Sequence, residues 1–172
     1  MFKENKGVTI ISLVLTIVIL VILTSVSFTT GSSLIKNTRI GRILSSMNLV
    51  KAKAEMRYEE YQFSENEEIL GTKATGIVNI SQYEKDLITE KLNEENITPD
   101  EFDNWDWYIW NKTDLTKEGL DSNMLAENEC FYVNYKYNQI LYSAGTAHDV
   151  EGETIYFYSS VGLSSIYGED ID

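Results

Sequence analysis

The sequence predicts an α+β fold: one long N-terminal α-helix, membrane-spanning in its first half and amphipathic in its second, packed on a small antiparallel β-sheet headpiece. Three observations predict it. Residues 8–35 hold no charged side chain over 28 positions. Ile40, Ile43, Leu44, Met47, Val50, Ala54, Tyr58 and Tyr61 then recur at helical spacing. The C-terminal third is dense in Tyr, Phe, Val and Ile between turn residues, as strands are. A chain of 172 residues holds one modest domain plus a terminal element, since domains usually run ~100–150 residues.

Taken in order, the apolar run makes ~42 Å of helix at ~1.5 Å per residue, against a hydrocarbon core of ~30 Å. The amphipathic stripe continues that helix to about residue 61, with Arg39, Arg42, Lys53, Arg57 and Glu60 mostly off the apolar face. The only proline is Pro99, so nothing in the sequence kinks the helix at residues 29–33. Residues 62–80 read as the loop leaving the helix. Ser81-Gln82-Tyr83-Glu84 has the form of a capping box, ahead of Leu87, Ile88 and Leu92 on one face. Thr98-Pro99-Asp100-Glu101 reads as a second helix start, 106–111 as a strand, and 113–120 as a helical turn closed by Gly119. Segments 129–135 and 139–143 form a hairpin around Lys136-Tyr137-Asn138, with Asn138 suited to positive φ. Segment 153–159 supplies a further strand. The expected boundaries are 1–7, a leader; 8–35, the apolar helix; 36–61, its amphipathic continuation; and 62–172, the headpiece.

Charge follows the same divisions. Residues 36–57 carry a net +5, whereas 58–172 carry a net −19, within a total of −13. The headpiece would repel phosphate backbones, which disfavours nucleic acid as its partner. The basic stretch beside the apolar run suits anionic lipid headgroups or acids on a neighbouring copy. Cys130 and His148 stand alone in their types, so neither an internal disulfide nor a Cys/His metal site can be built.

The N-terminus carries the informative motif. A secretory signal is cut beyond an apolar stretch of ~7–15 residues, but here the run is longer and its far end, Thr29-Thr30-Gly31-Ser32-Ser33, is a weak site. On the near side stands Lys6-Gly7-Val8-Thr9-Ile10-Ile11-Ser12-Leu13-Val14-Leu15. This resembles the signal of type IV prepilins and type II secretion pseudopilins: a short basic leader ending in glycine, then a hydrophobic residue, Thr and aliphatics. The resemblance implies cleavage between Gly7 and Val8 by a prepilin peptidase, with Lys6 and Thr9 flanking the cut and N-methylation of Val8. It also implies assembly through a helix face that includes Ile10, Ser12, Leu13, Val14, Ile17, Val18 and Val21. The family usually has Glu where this chain has Ser12, so the ion pair to a neighbour's N-terminal amine is not available. Prepilin-like proteins of Gram-positive, clostridial type resemble this chain in lacking that acid. The competing reading is an ordinary signal anchor.

Catalytic chemistry finds little support. His148, in an expected loop 146–149, is the only base near neutral pH and reads as a solvated turn residue. Cys130 reads as a small apolar residue at a strand start. Two acidic groups, Asp100, Glu101, Asp103 and Asp106, and Asp149, Glu151 and Glu153, are calcium candidates by residue type. Neither follows an EF-hand pattern, and a solvated acidic surface is the favoured reading. Trp105, Trp107 and Trp110 could form a ligand platform, with core packing behind an edge strand preferred.

These readings give the expectation of a non-enzymatic, cofactor-free, minor subunit of a type IV pilus, type II secretion pseudopilus or competence-type filament. Its expected place is the cell membrane, single-pass, with the C-terminal domain outside or in a surface filament. Its expected partners are the peptidase, other pilin or pseudopilin subunits, an inner-membrane assembly platform and membrane lipid. The rivals are a bitopic membrane protein with a ligand- or surface-binding acidic ectodomain and, more remotely, a membrane-anchored hydrolase.

Overall fold

The helix expected over 8–61 is one continuous element, α1, Ile10–Phe63. In the computed structural model, residues 10–64, 68–150 and 153–169 are described, with side chains except at 10–12, 21–37, 150 and 167–169. Residues 29–33 are helical, as expected for a run without proline. The chain divides into two compact units, residues 1–39 and 40–172.

In the first unit the described side chains are those of 13–20, 38 and 39, all exposed. Thr16 donates its hydroxyl to the Leu13 carbonyl at 2.8 Å, which hides a polar group against the helix backbone. Among the described residues no helix is long and apolar enough to cross a membrane.

The second unit is a mixed α+β domain around a five-stranded antiparallel sheet of order β1-β2-β3-β4-β5: Thr72–Lys73, Tyr108–Trp110, Phe131–Asn134, Gln139–Val150 and Glu153–Ser159. Strand alternation sends Trp110, Phe131, Val133, Ile140, Tyr142 and Phe157 to one face, where they meet Ile40, Met47, Val50 and Ala54 of α1. Those four helix residues are at most 1% exposed, so the stripe is core; each larger apolar side chain buried this way contributes ~1.5–3 kcal/mol. Arg57 fixes the same helix further along: its guanidinium makes two-pronged contact with Glu118, with Nε and Nη2 both 2.8 Å from Oε1. That carboxylate holds the Arg57 pKa above its ordinary value, mainly by hydrogen bonding.

The opposite face carries Leu141, Tyr132 and Tyr158 and is covered by Ile88 and Leu92 of α2, Gln82–Glu94, together with Phe102, Trp105 and Trp107. The sheet therefore sits between two helical layers, where the sequence had suggested one. The register explains why this escaped notice, because residues that alternate between two buried faces read simply as a dense apolar strand.

Several boundaries differ from expectation. The loop 62–80 contains β1, a two-residue edge strand set by Thr72↔Ile109 and Lys73↔Tyr108. Beyond Pro99 there is only a 3₁₀ turn, Phe102–Asn104, whose N-cap residue Glu101 makes no side-chain capping bond. The strand at 106–111 is confined to β2, because Asn111 caps α3, Lys112–Lys117, in a full capping box with Asp114. Gly119 ends α3 at φ +70° and Asn138 turns the hairpin at φ 47°, both as expected. The strand expected at 139–143 is longer: β4 continues to Val150 through an irregularity between Leu141 and Thr146. His148 therefore lies in β4 opposite Ile155, and not in a loop. A C-terminal helix, α4, Ser160–Glu169, had no counterpart in the expectation.

Candidate functional site

The expected cleavage residues Lys6, Gly7, Val8 and Thr9 lie outside the described residues, as does Glu151. Ile10, Ser12 and Val21 are in α1, with side chains outside the described set. The remaining residues expected to mediate assembly are open: Leu13 55%, Val14 53%, Ile17 51% and Val18 47% exposed, with Leu15, Ile19 and Leu20 similar. Seven large aliphatic side chains in eight consecutive positions cover every side of a helix, so this stretch has no polar face to turn toward water.

In the second unit the acids singled out for calcium are parted from one another. Asp100 pairs with Lys136, Asp103 with Lys85 and Asp106 with Lys73. Lys136 and the Tyr137 hydroxyl hold the Asp100 carboxyl below its ordinary value, by hydrogen bonding to its charged form. Asp149 accepts from Thr154 Oγ1 at 2.7 Å. Among the described residues no three His, Cys, Asp or Glu side chains are grouped to hold a metal ion.

The three tryptophans do not form one platform. Trp105 and Trp107 pack at a tilt against Phe102 on the α2 side, with ring centroids 4.6 Å apart for Phe102–Trp105 and 5.7 Å for Phe102–Trp107. Trp110 is buried on the α1 side, its indole N–H donating to Tyr135 Oη at 2.9 Å. All three are core residues, at 7%, 5% and 0% exposed.

Sequence reasoning missed two features. The first is a cleft of about 310 Å³ walled by Tyr58, Tyr61, Tyr108, Tyr135 and Trp105, with Asp100, Asn104, Asp106 and Lys136 among its polar residues. Tyr58 stacks on Tyr135 at 5.9 Å and on Tyr61 at 6.4 Å. Burial pushes the Tyr135 phenol well above its ordinary pKa, so it stays protonated and donates to the Leu70 carbonyl at 2.7 Å. Tyr58 and Tyr61 had been assigned to the helix stripe; only their nearness to residues 100–137, invisible in one dimension, makes them cleft walls.

The second is Glu84. The expected capping box is half present, because Ser81 accepts from the Glu84 amide at 3.2 Å while the Glu84 side chain turns inward. Its Oε1 accepts from the amides of Tyr158 and Ser159 and from Ser159 Oγ, at 2.9, 2.6 and 2.6 Å. Ser159 in turn accepts from the Gly162 amide, so one carboxylate joins the start of α2 to the start of α4. Glu84 is fully buried and its Oε2 has no partner among the described residues. Burial therefore pushes its pKa up, against the pull of the three donors.

No protein-family model, no curated protein and no solved structure matches the chain.

Proposed function

We propose that this chain is a prepilin-like, non-enzymatic filament subunit: α1 anchors it in the membrane before assembly and packs against other subunits afterwards. The domain of residues 40–172 stands outside the cell membrane as the partner-facing headpiece. The observation that carries this reading is the exposed aliphatic stretch 13–20 on a helix whose continuation is built into the sheet domain. Lys6-Gly7-Val8-Thr9 supports it, because a cut on the near side of the apolar run leaves that helix on the product. The finer fold assignment, a pilin-like headpiece, rests on the same arrangement of a long helix with its second half laid on an antiparallel sheet.

Ser12 places the subunit where a buried ion pair is dispensable: at a filament tip, or in a filament held by apolar packing and hydroxyl bonds. A carboxylate buried without a partner among apolar helices is costly, so its absence is consistent with either place. The test is in-cell cross-linking. Val18→Cys in a Cys130→Ala background should yield cross-linked species with itself or with sibling subunits, and Val18→Asp should abolish assembly. If neither substitution changes the state of the chain, the helix is only an anchor. The bitopic reading, with a ligand-binding ectodomain, would then stand, favoured by the aromatic cleft.

A further inference from the structure

The cleft beside Tyr58 has a neighbour. A second depression of about 180 Å³, lined by Thr75, Gly76, Ile77, Phe102 and Trp107, shares Trp105 and Asp106 with the first as a common wall. A side chain at Gly76 would meet nothing within 4 Å, so this depression is open beside the backbone. Trp107 holds its indole N–H buried without an acceptor among the described residues. A partner in the depression would meet the ring of Trp107 rather than this N–H, which has no exposed surface.

The chemistry of the larger cleft narrows what that partner is. Aromatic rings present an electron-rich face, which attracts the partly positive C–H groups on the flat side of a pyranose ring. Tyr61 is 40% exposed and Tyr58 and Tyr108 are half-buried, so rings are available at the cleft surface. Around them stand carboxylates, a carboxamide and an ammonium group, which suit the paired donor and acceptor character of sugar hydroxyls. Asn104 is tied only by a long 3.4 Å contact to Glu101, leaving its amide available. Charge excludes simpler ligands. Asp100 and Asp106 are each balanced by a lysine, so the cleft offers neither a bare anion nor a bare cation. The net −19 of residues 58–172 further repels phosphates and acidic glycans. A volume near the low end of ~300–1,000 Å³, with a smaller depression alongside, fits a short chain of rings better than one bulky ligand.

We propose that the two adjoining depressions form a binding site for a neutral oligosaccharide, stacked on the tyrosine side and reaching past Trp105 and Asp106 toward Trp107. This goes beyond the filament reading and does not depend on it, because sugar binding requires no cleavage at Gly7. Saturation-transfer NMR on the full chain in lipid nanodiscs tests it, with maltotriose, cellotriose and triacetylchitotriose as probes. Irradiating the aromatic protons should transfer magnetisation to the ring C–H protons of at least one trisaccharide. Tyr61→Ala and Asn104→Ala should each weaken its Kd by about tenfold or more while leaving the near-ultraviolet tryptophan spectrum unchanged. No transfer to any of the three sugars overturns the proposal. So does transfer that persists at equal strength in both variants.

Discussion

Glu84 shows how one side chain can look like a cap and act as a cornerstone. Its place three residues after Ser81 is the capping-box signature, yet its carboxylate leaves the helix end to bind the start of α4. Gly162 makes room for it: a Cβ there would lie 2.6 Å from Glu84 Oε1. Burial raises the pKa of this acid, so the folded state binds its proton more tightly than the unfolded chain does. The sign follows: stability should fall as pH rises from the ordinary glutamate value through the higher folded value, and then level off. Denaturant unfolding measured across that range should show this fall in the native chain and not in Glu84→Gln. Glu84→Ala, by contrast, orphans three buried donors and should cost ~2–3 kcal/mol or more at every pH.

At the scale of elements, α1 is where sequence and structure agree most closely, because helical periodicity survives in one dimension. Ile40, Met47, Val50 and Ala54 of the stripe are buried, whereas Leu49 and Met56 on the same helix are half exposed. Adjacent positions should therefore respond oppositely to the same charge. Val50→Asp puts a carboxylate into the core and should cost ~3 kcal/mol or more, whereas Leu49→Asp, at a position 50% exposed, should stay within ~0.5 kcal/mol. Thermal melts followed by near-ultraviolet dichroism measure both, and equal effects would move the helix face. The sheet was harder to read. The hairpin at Asn138 was legible because its turn needs a residue that tolerates positive φ. The extension of β4 was not, since Ala144, Gly145 and Ala147 have little strand preference and regular pairing with β5 resumes only at Thr146. α4 was hidden for a related reason: its start is capped by Ser159, which sits at the end of an evident strand. The cleft and the Glu84 contacts join residues more than 40 positions apart, a relation that periodicity and spacing do not encode.

For the whole molecule, the account joins a chain-end signal to a long helix and an acidic domain. On the proposed reading a short basic leader lies on the cytoplasmic side, an uncharged run crosses the bilayer, and residues 36–57, net +5, and 58–172, net −19, stand outside. In the proposed function processing is the step on which the rest depends, because removal of the leader would free the helix to leave the bilayer sideways into a filament. Gly7→Leu should block it, since a bulky side chain at the scissile bond keeps the peptidase from closing on the backbone. The most direct measurement is the intact mass of the chain recovered from its native membranes. The account predicts a polypeptide that begins at Val8, with or without a methyl group on its amine; a product that begins at Met1, or one cut beyond Ser33, would contradict it.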